Sequence, residues 1–275
     1  NSEGKMKINQ RYRRFIPKIA GITVAIVVVL GTVLLRMPST NAASLHKKYS
    51  FIKTNYNVPS SNVAWVATDG SDTSGNGTEG SPYATFKKAL ASISNGGTVV
   101  AKSGIYRQPH FFVSGDNVTI QAAPGAEVWL KGSDIVNSWT SENGIWKTIG
   151  NYHNYCHVCT TNADPSKEGV AAYPEQVFIN DEPMKQVATK AEVTPGSNTF
   201  YVEDRTPTTL KTANNNANGY NIGAQDNITY YIGKNPASGV TEISERTRAF
   251  TSTGRNVSIK GINIAQYSPV QVWNY

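Results

Sequence analysis

The sequence predicts an all-β protein in which short strands stack in successive coils, with one short helix near the start of the fold. Three observations lead to this fold class. Short apolar stretches bounded by Gly, Asn, Pro or Asp recur along most of the chain. A single stretch has the 3.6-residue periodicity of an amphipathic helix. Two distant hexapeptides repeat one pattern, and short strands at a coarse repeat are typical of solenoids.

The first predicted elements are a strand and, after a polar loop, the helix. Residues 63–67 (VAWVA) place alternate side chains on one face, as a strand does. Ser81 and Pro82 are residues that helices favour at the N-cap and the first helical position. Residues 95–97 (NGG) end the helix, because Asn and Gly accept the left-handed conformation of a C-cap. One apolar helical face is formed by four residues at i, i+3, i+4 and i+7: Phe86, Ala89, Leu90 and Ile93.

Every predicted element after the helix is a short strand that turn residues separate from the next. The predicted strands are Thr98–Lys102, Val118–Ala122, Val128–Lys131, Gln176–Ile179, Thr199–Val202, Ile228–Ile232, Val240–Ile243, Val257–Lys260 and Ile262–Ile264. No second helix is predicted, so helices are not available to cover the faces of the sheets. The strands must therefore bury one another as a sandwich, a barrel or a stack of coils.

The repeated hexapeptides favour the stack of coils. Residues 117–122 (NVTIQA) and 256–261 (NVSIKG) each begin with Asn and continue as an alternating strand that ends in a small residue. In a solenoid, Asn side chains at the start of successive coils would join their amides in a ladder. The alternative is a chance match between two short strands, and the hexapeptides alone do not decide between the two.

A targeting segment is predicted at the start of the chain. Residues 19–35 contain no charged side chain, five basic residues precede them between Lys7 and Lys18, and small residues follow as far as Ala43. This order, basic then apolar then small, is the layout of a secretory signal. The apolar stretch is also at the short end of the roughly 17–25 residues that span a bilayer, so a retained anchor is the alternative to cleavage after Ala42 or Ala43. Either outcome predicts an exported protein, secreted or at the cell surface.

The predicted organisation is a signal peptide or membrane anchor at residues 1–43, a linker at residues 44–62 and a β domain at residues 63–275. Most of the net positive charge belongs to the first segment. Seven of the 26 basic residues and one of the 19 acidic residues lie in residues 1–43, so the remainder carries 19 basic and 18 acidic residues. Because this remainder is nearly neutral, we expect no nucleic-acid partner, and contact with a membrane only through an uncleaved leader.

Several stretches of the body resemble one family of secreted proteins. The matching stretches are residues 65–72 (WVATDGSD), 77–78 (GT), 81–86 (SPYATF), 89–90 (AL), 97–100 (GTVV), 104–107 (GIYR), 174–187 and 228–244. Together they resemble the right-handed parallel β-helix proteins of the pectate-lyase-like superfamily. The opening stretches are specific to that fold and not to one reaction. The resemblance implies a right-handed parallel β-helix whose open end is capped by the first strand and the helix.

The resemblance also implies that the β domain has further coils and that calcium is its expected cofactor. Such proteins usually run for several more coils, whereas Val270 and Val272 continue a strand pattern up to Tyr275. The β domain is therefore expected to be truncated at its C-terminal end. Family members that act on acidic polysaccharides carry a catalytic base and calcium-binding carboxylates on central coils. Calcium is accordingly the expected cofactor if such a site lies on coils beyond Tyr275, and no other cofactor is identifiable.

The densest group of metal-ligating residue types lies between residues 153 and 159. His153, Cys156 and Cys159, together with His157, offer the imidazole and thiolate ligands that Zn²⁺ prefers. Structural zinc sites usually combine two separated ligand pairs, and this sequence has no second pair. In an exported protein, Cys156 and Cys159 can instead form a disulfide or remain structural thiols, and these interpretations are favoured over zinc.

Acidic residues are numerous in the body but form no recognisable catalytic motif. Asp69, Asp72 and Asn76 share one loop, and their spacing is that of a tight turn and not of an EF-hand calcium site. Glycoside hydrolysis needs a pair of carboxyl groups. The available acids are Glu175, Asp181, Glu182, Glu203, Asp204, Asp226, Glu242 and Glu245. The sequence assigns none of them a role, so the catalytic residues stay unknown at this stage.

These observations predict an exported polysaccharide-active protein, a lyase or hydrolase of acidic, pectin-like glycans, with extracellular polysaccharide as its partner. Trp139, Trp146 and Trp273 are available to stack on sugar rings, or equally to fill the core or its rim. The alternative function is a cell-surface adhesin or structural β-helix protein without activity, because a fold does not dictate a function.

Overall fold

The computed structural model describes residues 51, 53–155, 174–204 and 223–268. Regular structure within these ranges is almost entirely β-strand, with one six-residue α-helix and short 3₁₀ turns at Lys190–Glu192 and Pro236–Ser238. The prediction of an all-β protein is confirmed. No helix within the same ranges is long and apolar enough to cross a membrane. The predicted leader, residues 1–43, lies outside the described residues.

The chain forms parallel strands at both ends of the described fold and an antiparallel insert between them. The first elements are Val63–Val66 (β1), the helix Phe86–Ala91 (α1), Thr98–Ala101 (β2), Gly104–Tyr106 (β3), Phe111–Val113 (β4), Thr119–Ala122 (β5) and Val128–Lys131 (β6). We call residues 132–249 the insert; its strands are Ser133–Ile135 (β7), Thr140–Glu142 (β8), Ile145–Asn154 (β9), Val177–Ile179 (β10), Glu182–Pro183 (β11), Lys185–Gln186 (β12), Thr199–Asp204 (β13), Gly223–Ile232 (β14) and Thr241–Ser244 (β15). The last strands are Phe250–Ser252 (β16), Ser258–Lys260 (β17) and Ile262–Ala265 (β18).

The strands outside the insert form three parallel sheets that the chain enters in a repeating order. The first sheet contains β1, β2, β5 and β17, the second contains β3, β6 and β18, and the third contains β4 and β16. The chain passes through the three sheets as β2, β3 and β4, and again as β5, β6 and β16, with the insert before β16. Equivalent residues of the two passages pair with each other: Thr98 with Thr119, Gly104 with Val128, and Phe111 with Phe250.

Side chains that point between the three sheets form one apolar core. Because strand side chains alternate, Val99 of β2 and Ile120 of β5 both point inward and are buried. Phe86 of α1 is 0% exposed, and its ring lies edge-on to Tyr106 and stacked on Phe111, with both ring centroids 5.2 Å away. Complete burial of such a side chain stabilises a fold by roughly 1.5–3 kcal/mol. Helix α1 is therefore anchored to the parallel sheets mainly through Phe86.

The helix is confirmed, but it begins four residues later than the sequence predicts. Instead of forming an N-cap at Ser81 and a first turn at Pro82, the chain runs extended here, and Tyr83 donates its backbone N–H to β1. The true N-cap is Thr85, whose hydroxyl accepts the N–H of Lys88 at 3.1 Å. Pairing with an existing strand thus replaces the first predicted turn. The predicted apolar face packs into the core, through Phe86, Ala89, Leu90 and Ile93.

The predicted ladder of Asn side chains is also confirmed. Nδ2 of Asn256 donates to Oδ1 of Asn117 at 3.1 Å. The two residues have φ angles of +54° and +58°, a left-handed conformation that Asn tolerates better than most residues. They precede β17 and β5, whose residues Ile259 and Ile120 pair directly. The repeated hexapeptides therefore occupy equivalent positions in adjacent strands of one sheet.

The insert contains two sheets with a shared apolar core. One sheet has the strand order β11-β10-β15-β7, and the other has the order β12-β13-β14-β9-β8, with β12 and β13 as the parallel pair. Val177, Phe200, Tyr230 and Ile243 are buried between the sheets. Since side chains alternate along each strand, Glu242 points away from this core, on the opposite side of β15 from Ile243.

Candidate functional site

The loop between β1 and α1 is a turn whose polar groups support the helix. Asp72 accepts the backbone N–H groups of Ala84 and Thr85 at 2.8 and 3.0 Å and the Thr85 hydroxyl at 2.6 Å. Asn76 accepts the backbone N–H and the hydroxyl of Thr78. These side chains therefore serve local backbone groups, as the sequence predicts for a turn.

The predicted His and Cys cluster is described only in part. His153 lies in β9, where its backbone N–H donates to Oε2 of Glu245 at 2.8 Å and its ring lies 4.3 Å from that of Tyr155. Cys156, His157 and Cys159 lie outside the described residues, so the disulfide and zinc interpretations both stay predictions. Within the described part of the chain, no three His, Cys, Asp or Glu side chains are grouped as metal ligands.

A buried set of charges joins the insert to the parallel sheets; we call it the Lys131 network. Lys131, at the end of β6, places its ammonium 2.6 Å from Oδ1 of Asp181 and 2.9 Å from both carboxylate oxygens of Glu242. Arg107, which follows β3, also donates to Glu242. Nε2 of Gln266 donates to Oδ1 of Asp181 at 3.1 Å. Two basic and two acidic groups are thus brought together, so their charges balance.

Electrostatics in the Lys131 network favour the ionised carboxylate. Burial alone would raise the pKa of Glu242, but hydrogen bonds and charge from Lys131 and Arg107 outweigh burial and hold this pKa below its ordinary value. Because Glu242 is 1% exposed and its oxygens are bound by cations from within the protein, the carboxylate is poorly placed to exchange a proton with a substrate. The network is therefore a tether between sheets and not an acid–base site.

Backbone geometry at the edges of this network is unusual. Asp181 has a φ angle of +66° and Gln266 one of +59°, and neither residue is glycine. Each side chain reaches the network from a left-handed backbone position. A left-handed L-residue costs roughly 1–2 kcal/mol, so the ion pairs hold two turns in conformations that the chain would otherwise leave.

A second polar cluster, the Glu245 centre, consists of Glu245, Asp134 and Arg246. The backbone N–H of Glu245, just after β15, donates to the carbonyl oxygen of Gly132 at 2.8 Å, which fixes its position beside β7. Oε2 of its carboxyl group accepts the N–H of His153. Its Oε1 is buried and has no hydrogen-bond partner among the residues that the structure describes. One oxygen of this carboxyl group is thus held in place while the other carries no protein hydrogen bond there.

The two carboxyl groups of the Glu245 centre have different environments. Burial raises the pKa of Glu245 to about 7, and the charge of Asp134 acts in the same direction. The N–H of His153 and the guanidinium of Arg246 lower this pKa but do not cancel the shift. Asp134 instead forms a two-point ion pair with Arg246, at 2.9 and 3.0 Å, and its side chain is 43% exposed. Such a pair can supply a proton donor and an ionised carboxylate at the same pH.

Tyrosines and a further carboxylate lie beside the Glu245 centre. Burial raises the pKa of Tyr155 and of Tyr230, and the charges of Glu245 and Glu175 raise both further. Both carboxylates therefore lie near the same two phenols. Oε2 of Glu175 accepts Nε2 of Gln186 at 2.8 Å. The raised pKa values keep both phenols protonated; Tyr155 and Tyr230 are buried, and the Tyr155 hydroxyl donates to the carbonyl oxygen of Ser244 at 3.0 Å.

The acids singled out in the sequence separate into distinct surroundings. Asp181 and Glu242 belong to the Lys131 network, and Glu175 and Glu245 lie near Tyr155 and Tyr230. Glu203 accepts a hydrogen bond from Tyr231, and Glu182 lies in strand β11. The side chains of Asp204 and Asp226 lie outside the described part. Sequence reasoning missed Asp134, Arg246, Lys131 and Arg107, because their partners are 50 to 135 residues away along the chain. A usable signal existed at Lys131, a charge that ends an apolar strand.

The three tryptophans singled out in the sequence also differ in their surroundings. Trp146 packs against the core of the insert, so the interpretation of this residue as a core residue is confirmed. Trp139 packs partly on the same core and borders an open groove. Trp273 lies outside the described residues.

Comparison with known proteins gives a likeness of fold. No protein-family model matches the chain, and no curated protein matches it significantly. A solved structure described as the complex of XylC with xylose is similar over 75% of this chain and 36% of its own, with 20% identity and a TM-score of 0.56. A glycoside hydrolase is similar over 76% and 51% of the two chains, with 12% identity and a TM-score of 0.44. The chain thus spans about a third and about half of the length of these two structures.

Proposed function

We propose that the protein is an exported carbohydrate-active enzyme, a glycoside hydrolase, built on a right-handed parallel β-helix. The repeated passage through three parallel sheets supports the β-helix. Its right hand follows from the rule that about 98% of parallel crossover connections are right-handed. The likeness to a xylose-bound protein supports a carbohydrate as the ligand. The predicted leader, residues 1–43, supports export.

The observation that carries the hydrolase proposal is the Glu245 centre. Hydrolysis of a glycosidic bond requires one carboxyl group that protonates the leaving oxygen and a second that acts as base or nucleophile. Glu245, with a pKa raised to about 7, would donate its proton to the glycosidic oxygen. Asp134, held by two hydrogen bonds from Arg246, would take the proton of the attacking water or attack the sugar itself. Burial and the charge of Asp134 keep the pKa of Glu245 raised, although Arg246 acts in the opposite direction.

The lyase alternative receives less support from the described residues. Elimination from a uronate needs an accessible basic residue, usually beside carboxylate-bound calcium. Lys131 and Arg107 both lie against Glu242, and Lys131 is 2% exposed. Acidic, pectin-like specificity therefore stays a prediction from the sequence, and hydrolysis is the reaction that the geometry favours.

The test compares the wild-type chain with Glu245→Gln, Asp134→Asn and a control, Glu79→Gln, which changes an exposed carboxylate in the loop before α1. Each protein is incubated with neutral xylan and with polygalacturonate, with and without calcium. Both reactions create new reducing ends, so new reducing ends without ultraviolet absorbance report hydrolysis, and ultraviolet absorbance of unsaturated products reports elimination. We expect the wild type to release reducing ends from at least one glycan. The rate of release should fall about 10²–10⁴-fold in Glu245→Gln and stay unchanged in the control.

Two outcomes would overturn the proposal. Unsaturated products in place of simple reducing ends would make the protein a lyase. Binding of glycan without any turnover across a wider panel would favour the adhesin that the sequence leaves as its alternative. Export is tested separately, by fusing a reporter after residue 43 and measuring its distribution between medium, membrane and cytoplasm.

A further inference from the structure

A groove of about 400 Å³ opens on the insert, where β8 ends and no described strand pairs with that side of β9 beyond Lys147. We call it the Trp139 groove. The residues that line it are Asn137, Ser138, Trp139, Thr140, Lys147, Thr148, Ile149, Thr229 and Tyr231. Its volume is within the roughly 300–1,000 Å³ that is usual for small-molecule sites.

The lining combines apolar surface with neutral hydrogen-bonding groups. Trp139 supplies aromatic surface and Ile149, 55% exposed, supplies an aliphatic wall, while Tyr231 also lines the groove but is only 3% exposed. Four of the remaining lining residues carry hydroxyl groups, one carries an amide, and none carries a carboxylate. A pyranose ring has the matching chemistry, because its C–H face packs on aromatic and aliphatic groups while its hydroxyls exchange hydrogen bonds around the edge.

One hydroxyl group at the groove is unsatisfied. Thr229 is 2% exposed, and its Oγ1 has no hydrogen-bond partner among the described residues. A buried hydroxyl without a partner carries a free-energy penalty that a ligand hydroxyl at the groove floor would remove. The neighbouring Thr148 hydroxyl is already paired, at 2.7 Å, with Tyr152. Thr229 therefore places an unpaired hydroxyl group among the residues that line the groove.

Charge at the rim favours a neutral ligand. Lys147 is ion-paired with Glu142, which also binds Lys190 at 2.7 Å. Hydrogen bonds from the two ammonium groups lower the pKa of Glu142 to about 2, so its carboxylate stays ionised at physiological pH. The Lys190 ammonium is further engaged by the Tyr231 ring, 4.0 Å from its centroid. Lys147, the one cation among the lining residues, is therefore already ion-paired, and the second ammonium that shares Glu142, that of Lys190, is also held by the Tyr231 ring.

We propose that the Trp139 groove is a binding site for a neutral oligosaccharide, separate from the Glu245 centre. The choice of a sugar as ligand rests in part on the proposed function, but the lining chemistry supports it independently. Glu245 lies beyond Tyr152, whose hydroxyl pairs with Thr148 of the groove and whose pKa the Glu245 charge helps to raise. A glycan held in the groove would thus be bound near the reacting centre without contacting its carboxyl groups.

The experiment measures binding of xylohexaose by calorimetry in the Glu245→Gln background, where turnover does not interfere. Thr229→Val keeps the shape and removes the unsatisfied hydroxyl, and we expect about five- to tenfold weaker binding. Ile149→Glu places a carboxylate in the groove at an exposed position, and we expect binding to be lost. The matched controls are Thr73→Val, an exposed threonine, and Val240→Glu, at 48% exposure on the surface of the insert. Both controls should bind as the parent does.

The outcomes separate this proposal from the proposed function. If Ile149→Glu and Thr229→Val leave binding unaffected, the proposed binding site is wrong, while the proposed hydrolase activity is untouched. If the two substitutions weaken binding but the wild type hydrolyses no glycan, the binding site is supported and the proposed hydrolase function is wrong. Tighter binding of an oligogalacturonate than of xylohexaose would overturn the assignment to a neutral ligand. No binding of either oligosaccharide would overturn the groove as a sugar site.

Discussion

The Lys131 ammonium lies 2.9 Å from both carboxylate oxygens of Glu242, and this ion pair joins β6 of the parallel sheets to β15 of the insert. Both residues are at most 2% exposed. Removing one partner of a buried ion pair leaves an uncompensated charge in the interior. The position of the insert, and with it of Glu245, therefore depends on a contact between residues 111 positions apart.

Lys131→Met should destabilise the protein by about 3–5 kcal/mol, because it leaves Glu242 and Asp181 buried without their ammonium partner. The free energy of unfolding is measured by urea denaturation. Lys87→Met, which removes an exposed lysine of α1, is the control and should change it by less than about 0.5 kcal/mol. Equal effects of the two substitutions would show that the pair does not hold the insert.

The ladder between Asn117 and Asn256 predicts a particular order of stabilities. Asn256→Ala should cost about 1–2 kcal/mol, because alanine tolerates the φ of +54° poorly and cannot make the amide hydrogen bond. Asn256→Gly should cost less, since glycine accepts this backbone conformation. Thermal unfolding compares them with Asn55→Ala, at an exposed position without a positive φ. A glycine variant less stable than the alanine variant would contradict the backbone explanation.

The stability of the protein should depend on pH through Glu245. Its pKa is about 7 in the folded protein and 4.5 in an ordinary environment, so the folded state binds this proton more tightly than the unfolded state. The free energy of unfolding should therefore fall as pH rises from about 4.5 to about 7, and level off above that. Glu245→Gln should remove this slope and be more stable than the wild type at pH 8, by about 2–3 kcal/mol. Parallel pH profiles of the two proteins would contradict the raised pKa.

Asp72 should matter for folding and not for calcium. Asp72→Ala removes three hydrogen bonds to Ala84 and Thr85 at the start of α1 and should cost about 2–3 kcal/mol. Asp69→Ala, in the same loop, should stay within about 0.5 kcal/mol. Millimolar calcium should therefore not raise the melting temperature of the wild type through binding to this loop. A rise that Asp72→Ala abolishes would restore the calcium interpretation.

The Cys156 and Cys159 pair should contain no stoichiometric zinc. Metal analysis of the purified protein tests this, and alkylation with and without prior reduction, followed by mass spectrometry, counts the thiols. One zinc per chain, lost together with stability on chelation, would overturn the favoured interpretation of a disulfide or structural thiols.

The strands could be predicted closely because their signal is local. Val128–Lys131 has the predicted bounds, and the predicted stretch Val118–Ala122 differs from β5 by one residue. Strands such as Thr140–Glu142 were missed, since their polar sequence gains strand structure only by pairing with β9. The helix start was misplaced for a related reason: Tyr83 pairs with β1, and that contact overrides a reasonable N-cap sequence.

The sequence by itself determined the all-β class and the helix near the start of the fold; it offered the equivalence of residues 117–122 and 256–261 as one of two interpretations, and the structure confirmed it. These depend on side-chain periodicity and turn residues, which act within a few positions of the chain. Tertiary structure alone decided that Lys131 meets Glu242, that Asp134 and Glu245 share one centre, and that Trp139 borders a groove. A buried carboxyl group acquires its protonation state from whichever charges the fold brings near it. That information is absent from the spacing of acidic residues along the chain.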